Sequence, residues 1–278
     1  VYKRQPHLVP QTGLKKLYYN MKLAYDKGDR DYFIMNVSNV REFVFELKAY
    51  AESAWSMSRY VPDDYLNRYC EKFGEHADEV KNAITDFYES FPELDSKNLE
   101  KHLSTYFNYT KTAPPAGITN FVLKEGSIID YGKRMTDNFD KDLNKWLCHE
   151  YAAAIKPIIA NSDEICVRFE KITENLSEPL KTHFKIKWLL SAKTLNYIYK
   201  WYVALHDAKI HRDGADGENM KKSILEASGY LFDYLKYRKC AEYGEFKNWY
   251  RGDLKMNIKQ RLYDTLKIIG QTPEMTEY

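Results

Sequence analysis

Three small polar side chains, Asn36, Ser38 and Asn39, follow a short apolar run and have the chemistry to bind a sugar. Their amide and hydroxyl groups offer both donors and acceptors, as sugar hydroxyls do. The run Tyr32–Val37 has the composition of a β-strand, and residues at the carboxyl ends of barrel strands face the active site in barrel enzymes. The structural alternative is that Asn39 caps the next helix and Asn36 completes a turn. The residues alone leave both interpretations open.

A second polar segment, His206–Glu218, gathers two histidines, three aspartates and one glutamate. His206 and His211 are five residues apart and so fall on different faces of a helix, unlike the i,i+4 pair of zinc proteases. The aspartates do not fit the spacing of an EF-hand loop. We therefore predict a solvated turn between helices, with no metal site and no cofactor.

A third segment, Gly244–Asp253, is a non-helical break that contains Trp249, Tyr250 and Arg251. These side chains suit either the binding of a sugar acid or a corner between helices, and the sequence favours the corner. The chain has no nucleophile elbow, Walker loop or dinucleotide fingerprint. The cysteines form no CxxC pair and are predicted to be buried free thiols; they are Cys70, Cys148, Cys166 and Cys240.

The composition is that of a folded protein with 44% hydrophobic and 29% charged residues over 278 positions. A net charge of +2 argues against nucleic acid as the main partner. No apolar run approaches the roughly 20 residues that span a bilayer, which argues against a membrane protein.

The elements that must position these residues are mostly helices. The spacing predicts a helix at Thr12–Lys27 and, after the strand, a helix that begins at the Asn39 cap and runs to Trp55. Its predicted apolar stripe consists of Phe43, Leu47, Tyr50, Ala51 and Ala54. Further predicted helices start at Pro62 and His76, a weaker one spans Leu94–Tyr106, and a long loop spans Asn108–Ser127. Long helices follow, the first over Asp130–Ala160, and they suggest an antiparallel bundle.

The stretch from Asn36 to Trp55 resembles the end of the catalytic barrel in glycoside hydrolase family 115, the xylan α-1,2-glucuronidases. There a strand ends in Asn-Val-Gly-Asp and the following helix ends in Ala-Trp at the same distance. The family's Gly and Asp are Ser38 and Asn39 here, its Lys-Pro is Arg41-Glu42, and its helix-start Glu falls on Val44. Weaker similarities are the segments YLNRYCEKFGEHADEV, YVALHDAKIHRDG and GEFKNWY.

The resemblance implies a mainly α fold, an antiparallel helical bundle preceded by one residual βα unit of a truncated (β/α)8 barrel. Residues 6–58 would be the end of the barrel, 59–107 a helical extension, 108–127 a loop and 128–278 the helical bundle domain. Residues 1–5 resemble translated sequencing-adapter sequence, and we leave them out of the predicted fold. The expectation is a fragment whose upstream part is missing.

The implied activity is hydrolysis of glucuronosyl side chains of xylan with inversion, which needs an acid and a base on opposite faces of the sugar. Those carboxylates would lie mainly on the missing strands, so the catalytic residues stay unassigned and the fragment alone is expected to be inactive. Asn36, Ser38 and Asn39 would bind a polysaccharide or oligosaccharide substrate. The resemblance also implies a secreted or periplasmic bacterial protein, and the helical domain offers a surface for a homodimer. The alternatives are a non-enzymatic helical scaffold or dimerisation module, and a fragment of another barrel glycosidase.

Overall fold

The structure is a computed structural model that describes residues 8–31, 34–35, 37, 40–95, 120–122, 125–141, 145–252 and 256–273. Within these residues the chain is mainly helical and forms two compact units. The N-terminal unit comprises the described residues of 8–90 and 162–194, and the C-terminal unit comprises the described residues of 91–161 and 195–273. No described helix is both long enough and apolar enough to cross a bilayer.

In the described residues, helices follow one another along the chain, and one pair of strands lies between the fourth and the fifth helix. The first part forms α1 (Leu14–Asp26), α2 (Val40–Trp55), α3 (Pro62–Glu71), α4 (Ala77–Glu89), β1 (Glu93–Asp95), β2 (Asn120–Val122) and α5 (Glu125–Asp137). The second part forms α6 (Lys145–Ile155), α7 (Ile159–Asn175), α8 (Leu180–Phe184), a π-helical turn (Lys185–Leu189), α9 (Leu190–Asp213), α10 (Gly217–Arg238) and α11 (Ile258–Lys267). Short 3₁₀ turns include Lys239–Ala241 and Trp249–Gly252.

The first four helices lie close to where the sequence predicts them. α1 buries Leu14 and Leu17, and the chain leaves it at Gly28, whose φ of 105° is accessible to glycine. α3 begins with Pro62 in its first turn after an extended residue, where the missing N–H of proline breaks no helical hydrogen bond. The mainly helical fold confirms that part of the prediction, and the described helices are consistent with a helical bundle.

The buried face of α2 is not the predicted apolar stripe. Of the predicted residues, Ala51 and Ala54 are exposed, whereas the buried face consists of Glu42, Phe45, Glu46, Ala49 and Ser53. The prediction is wrong because it assumes that charged side chains stay in water. Here the Glu46 carboxylate pairs with a buried lysine on another element, and the Glu42 carboxylate pairs with the neighbouring arginine.

The core of the N-terminal unit is aromatic. The Trp188 ring is fully buried and meets the rings of Phe45, Tyr69 and Tyr88 edge-on, at centroid distances of 5.2, 6.0 and 5.9 Å. Tyr65 donates a hydrogen bond from its hydroxyl to the Phe45 carbonyl at 2.7 Å. Edge-on aromatic pairs allow a tyrosine-rich core to pack densely. Hydrogen bonds such as that of Tyr65 pair the buried hydroxyl groups.

In the C-terminal unit, α10 and α11 pack side by side, and α11 also packs on α5. Trp201 on α9 is fully buried and donates from Nε1 to Thr265 Oγ1 on α11 at 3.2 Å. Gly132 on α5 lies directly against the Trp201 ring, and a Cβ at this position would overlap the ring. Gly132 therefore sets how closely α5 approaches α9.

The structure does not show the residual βα unit of a barrel. Ile34, Met35 and Val37 lie in neither a strand nor a helix, and Ile34 is 88% exposed. Tyr32, Phe33 and Asn36, the rest of the predicted strand, lie outside the described residues. A strand needs a neighbour that pairs with its backbone groups, and no described residue pairs with this segment; β1 and β2 pair only with each other.

Two predictions around the predicted loop are also wrong. Leu94 belongs to β1 and not to a helix, because Glu93–Asp95 pairs antiparallel with Asn120–Val122. The remainder of the predicted helix to Tyr106 lies outside the described residues. β2 and the start of α5 lie within the predicted loop Asn108–Ser127.

The predicted helix Asp130–Ala160 is interrupted after about its first two turns. α5 ends at Asp137, and the Asn138 side chain donates to the Arg134 carbonyl at 3.2 Å. Asparagine side chains compete with the backbone in this way and favour helix ends over helix interiors. The helical spacing on both sides of Asn138 hides this break.

Candidate functional site

The predicted substrate-binding residues Asn36, Ser38 and Asn39 lie outside the described residues. Their role in sugar binding and the predicted cap at Asn39 remain predictions. The described neighbour is α2, whose first residue Val40 directly follows Asn39 in the chain. The structure therefore informs this site through α2 and the residues that surround it.

A buried ion pair anchors the first half of α2. Lys187 Nζ lies 2.9 and 2.8 Å from the two carboxylate oxygens of Glu46, and 2.7 Å from the Glu42 carbonyl oxygen. The two charged side chains are only 7% and 6% exposed. Three donors of an ammonium group thus meet three oxygens, which is the geometry that a buried pair needs to offset its desolvation.

The carboxylate of Glu46 has a second donor. Tyr88 on α4 donates a short hydrogen bond from its hydroxyl to Glu46 Oε1. Burial raises the pKa of Tyr88 well above its usual value, and the charge of Glu46 raises it further. Burial lowers the pKa of Lys187, while Glu46 opposes that shift by favouring the ammonium form. The cluster therefore locks α2, α4 and the π-helical turn together, and π-helical turns are frequent at functional sites.

A polar chain runs next to this cluster. Trp188 Nε1 donates to Tyr69 Oη at 2.7 Å, and Tyr69 Oη lies 2.8 Å from His183 Nε2. Partial burial, together with the charges of Lys72 and Lys187, lowers the pKa of His183 to about 4. Burial also lowers the pKa of Lys72 to about 8. His183 is thus neutral near pH 7, and its ring nitrogen accepts a hydrogen bond.

An open groove lies at the other end of α2. It has a volume of about 480 Å³ and is lined by Lys48, Ala51, Glu52, Trp55, Ser56, Arg59, Tyr60, Val61 and Arg68. We call it the Trp55 groove. The indole of Trp55 is 92% exposed. An exposed rigid ring beside an open groove provides a flat apolar platform with polar groups around it.

The charges of the Trp55 groove favour an anionic ligand. Among the described residues that line it, Lys48, Arg59 and Arg68 outnumber the single acidic residue, Glu52. Glu52 already pairs with Arg68, since Arg68 Nη2 lies 2.6 Å from Glu52 Oε2. Arginine recognises carboxylates through two parallel donors. The groove can therefore hold a sugar ring on its tryptophan and a carboxylate on its cations.

The Tyr60 ring also lines this groove, but its hydroxyl oxygen is buried and has no hydrogen-bond partner among the described residues. Burial raises the pKa of Tyr60 to about 12. The hydroxyl is thus held as a neutral group. Because this hydroxyl has no partner among the described residues, its removal would break no described hydrogen bond.

The other polar segments do not form a metal site. His206 Nε2 lies 2.7 Å from His149 Nδ1, and Asp207 accepts a hydrogen bond from Lys156 at 2.7 Å. His211 lies near Asp216, at 3.7 Å. In the described part of the chain, no group of three or more His, Cys, Asp or Glu side chains is placed to hold a metal ion. Of the cysteines, which are free, Cys70 and Cys166 are buried and the other two are partly exposed.

Within the described residues the chain is mainly helical and carries an exposed tryptophan beside a basic groove. Residues 2–100 match the family described as Glycosyl hydrolase family 115. This match confirms the resemblance for that part of the chain and supports a fragment of a family 115 protein. The match begins within residues 1–5, whose interpretation as adapter sequence stays a prediction. No curated protein and no solved structure matches the chain.

Proposed function

We propose that this chain is part of a glycoside hydrolase that removes glucuronosyl side chains from xylan with inversion at the anomeric carbon. The observation that carries the proposal is the family 115 match over residues 2–100, which includes the stretch from Asn36 to Trp55. The acid and the base would lie on other strands of the barrel of a longer protein. A carbohydrate is the substrate class that the family suggests.

In this proposal Asn36, Ser38 and Asn39 bind the hydroxyls of the substrate. The Glu46–Lys187 pair fixes the helix that follows them, so that these residues are presented from a rigid base. Precise support of this kind matters because small displacements of positioning groups reduce the rate strongly.

The Trp55 groove would bind the polysaccharide away from these residues. α2 has 16 residues and is therefore about 24 Å long, with Asn39 preceding one end and Trp55 at the other. One sugar does not bridge this distance, whereas a polysaccharide chain does. Binding energy from such remote contacts can be used to orient the reacting part of the substrate.

A binding experiment tests the groove. The 278-residue chain is titrated with glucuronosyl-substituted xylo-oligosaccharides and with unsubstituted ones of equal length. We expect the substituted sugar to bind more tightly, Trp55→Ala to weaken this binding at least tenfold, and Arg59→Gln to remove the preference for the substituted sugar. Tyr19→Ala is the matched control, because Tyr19 is 64% exposed and lies on α1.

Equal effects of Trp55→Ala and Tyr19→Ala would refute the role of the groove. Absence of any binding to xylo-oligosaccharides would instead favour the alternative of a helical scaffold.

The catalytic part of the proposal needs the longer protein with its whole barrel. There we expect Asn36→Ala to lower kcat/KM on glucuronoxylan at least tenfold without a change in Tm, and Asn20→Ala on α1 to leave it unchanged. Proton NMR of the first product identifies its anomer. An unchanged rate for Asn36→Ala would make Asn36 structural, and retention of configuration would refute the inverting mechanism.

A further inference from the structure

Lys72, directly after α3, is an exposed lysine whose amino group has no carboxylate partner among the described residues. Its contacts are with three side chains of the N-terminal unit. Lys72 Nζ lies 3.1 Å from His183 Nε2, 3.7 Å from the Tyr69 ring centre and 5.2 Å from the Phe73 ring centre. The amine is thus held in place without the neighbouring negative charge that would keep it protonated.

The ring nitrogen that contacts Lys72 is a neutral acceptor near pH 7. Partial burial, together with the charges of Lys72 and Lys187, lowers the pKa of His183 to about 4. The Tyr69 hydroxyl accepts from Trp188 Nε1 at 2.7 Å and lies 2.8 Å from His183 Nε2, so its own proton is available to that nitrogen. A neutral acceptor can receive an N–H from Lys72 in both the ammonium and the amine form. The contact therefore orients the amino group and leaves the lone pair of the amine unused.

The titratable and charged groups around Lys72 favour its neutral form. Partial burial lowers the pKa of Lys72 to about 8, Cys70 on α3 opposes this shift, and the charge of Lys48 on α2 adds to it. The opposition is weak near pH 7, because burial raises the pKa of the Cys70 thiol to about 11 and so keeps it uncharged. Near pH 7.5 about a quarter of a lysine with a pKa of about 8 is neutral, compared with about 0.1% at the usual pKa of about 10.4.

We propose that Lys72 is a selectively nucleophilic amine that forms an imine with small aldehydes, of which the open-chain form of a reducing sugar is one. The neutral amine attacks the carbonyl carbon, and the C–N bond forms as the π electrons of the carbonyl move to its oxygen. One proton passes from the nitrogen to that oxygen. The resulting carbinolamine then loses its hydroxyl and the second N–H proton as water to give the C=N bond, so the step needs no oxidant or reductant.

The rings beside Lys72 favour an aldehyde over an acyl donor as the electrophile. A protonated imine keeps the positive charge of the lysine, so the attraction to the Tyr69 ring is retained in the product. An amide formed from an acyl donor is neutral and would lose this attraction. The inference does not depend on the proposed hydrolase activity.

The test uses the 278-residue chain, D-glyceraldehyde as the aldehyde, and sodium cyanoborohydride, which reduces each imine to a stable amine. Peptide mass spectrometry after a brief reaction gives the initial rate at each lysine. Near pH 7.5 we expect Lys72 to react at least tenfold faster than Lys16, an exposed lysine on α1 of the same unit. This factor allows for the weaker intrinsic nucleophilicity of a less basic amine. The rate at Lys72 should level off above about pH 8, whereas the rate of a lysine with the usual pKa of about 10.4 keeps rising.

Two substitutions at position 183 change the charge beside Lys72 with little difference in size. His183→Glu places a carboxylate next to the amine, favours the ammonium form and should slow the reaction at Lys72 at least tenfold. His183→Gln, the matched neutral variant, should change it by no more than about threefold, and neither variant should alter the rate at Lys16. Lys72→Arg should lose the fast-reacting site with an unchanged Tm.

Three results would overturn the inference: equal rates at Lys72 and Lys16, a rate at Lys72 that keeps rising well above pH 8, or equal slowing by His183→Glu and His183→Gln. The pH profile of the wild type needs no variant, so it decides the question even if His183→Glu does not fold.

Discussion

Replacement of Glu46 by Gln tests the buried ion pair on which the position of α2 depends. In the wild type, the Lys187 ammonium is 2.9 and 2.8 Å from the carboxylate oxygens of Glu46 and 2.7 Å from the Glu42 carbonyl. The variant keeps the shape of the side chain and one amide oxygen but loses the full negative charge. Breaking one side of a buried pair costs about 3–5 kcal/mol. Because one acceptor remains, we expect a loss of about 3 kcal/mol, a large part of the 5–15 kcal/mol of a typical domain.

Lys187→Met in the Glu46→Gln background removes the second charge of the pair. With both charges removed, no uncompensated charge is left in the core, and the double variant should be more stable than Glu46→Gln alone. The control is Glu52→Gln, the same substitution six residues further along α2. Its pair with Arg68, at 2.6 Å, is 35% and 55% exposed, and such pairs contribute about 0–1 kcal/mol.

Urea unfolding followed by circular dichroism measures all four proteins, with the slope m expected to stay constant. The pH dependence gives an independent check. In Glu46→Gln the pKa of Lys187 in the folded state should lie further below its unfolded value of about 10.4. The unfolded chain then binds more protons than the folded one at pH values below about 10.4, so the deficit relative to wild type should shrink as the pH rises toward that value. A loss below about 1 kcal/mol for Glu46→Gln, or a double variant less stable than the single one, would refute this account of the pair.

Five further substitutions and one pH series test the rest of the structure, each by urea unfolding. Tyr60→Phe should leave stability unchanged or raise it by up to about 1 kcal/mol, because it removes a buried hydroxyl that has no partner among the described residues. Tyr65→Phe should cost about 1 kcal/mol, because it breaks a buried hydrogen bond. The reverse order of stabilities would contradict both assignments. Gly132→Ala should lower stability by about 2 kcal/mol through overpacking, despite the better helix propensity of alanine. Gly229→Ala, at a helical position with free space, should raise stability by up to about 1 kcal/mol. Equal effects of the two substitutions would disprove the close approach at Gly132. Because the folded pKa of His183 is about 4, below its unfolded value of about 6.5, wild-type stability should fall as the pH drops from 6.5 toward 4. The loss should be about 1 kcal/mol after allowance for solvent screening, and His183→Gln should remove it; the same slope in that variant would exclude His183 as the cause.

The helices were predictable because their signals are local. Gly28 marks the end of one helix and Pro62 marks the start of another. The spacing of the apolar residues indicates how far each helix extends. The strand prediction at residues 32–37 depends on a partner, which local composition does not specify. The pairing of Glu93–Asp95 with Asn120–Val122 is non-local in the same way and overrides local helical spacing.

The buried pair of the site was missed for a related reason. Lys187 and Glu46 are separated by 141 positions in the chain. One signal was nevertheless present: Glu42 and Glu46 share a helix face with Phe45 and Ala49, so a core along Phe45 must also bury carboxylates. A carboxylate at a core position requires a donor from elsewhere. Sequence reasoning could have predicted that a partner exists, although not that it is Lys187.

The two ends of α2 place a geometric condition on any function of the N-terminal unit. The first half of the helix is fixed by the Glu46–Lys187 pair, and its end carries the exposed Trp55 beside the basic groove. A helix of 16 residues holds these ends about 24 Å apart. If Asn36–Asn39 and Trp55 act on one ligand, that ligand is extended, and truncating it must reduce the contribution of Trp55. Trp55→Ala should therefore weaken binding of long substituted xylo-oligosaccharides more strongly than binding of a single glucuronosyl-xylose unit. Equal weakening for both lengths would mean that Trp55 and the Asn36 segment do not contact opposite ends of one bound chain.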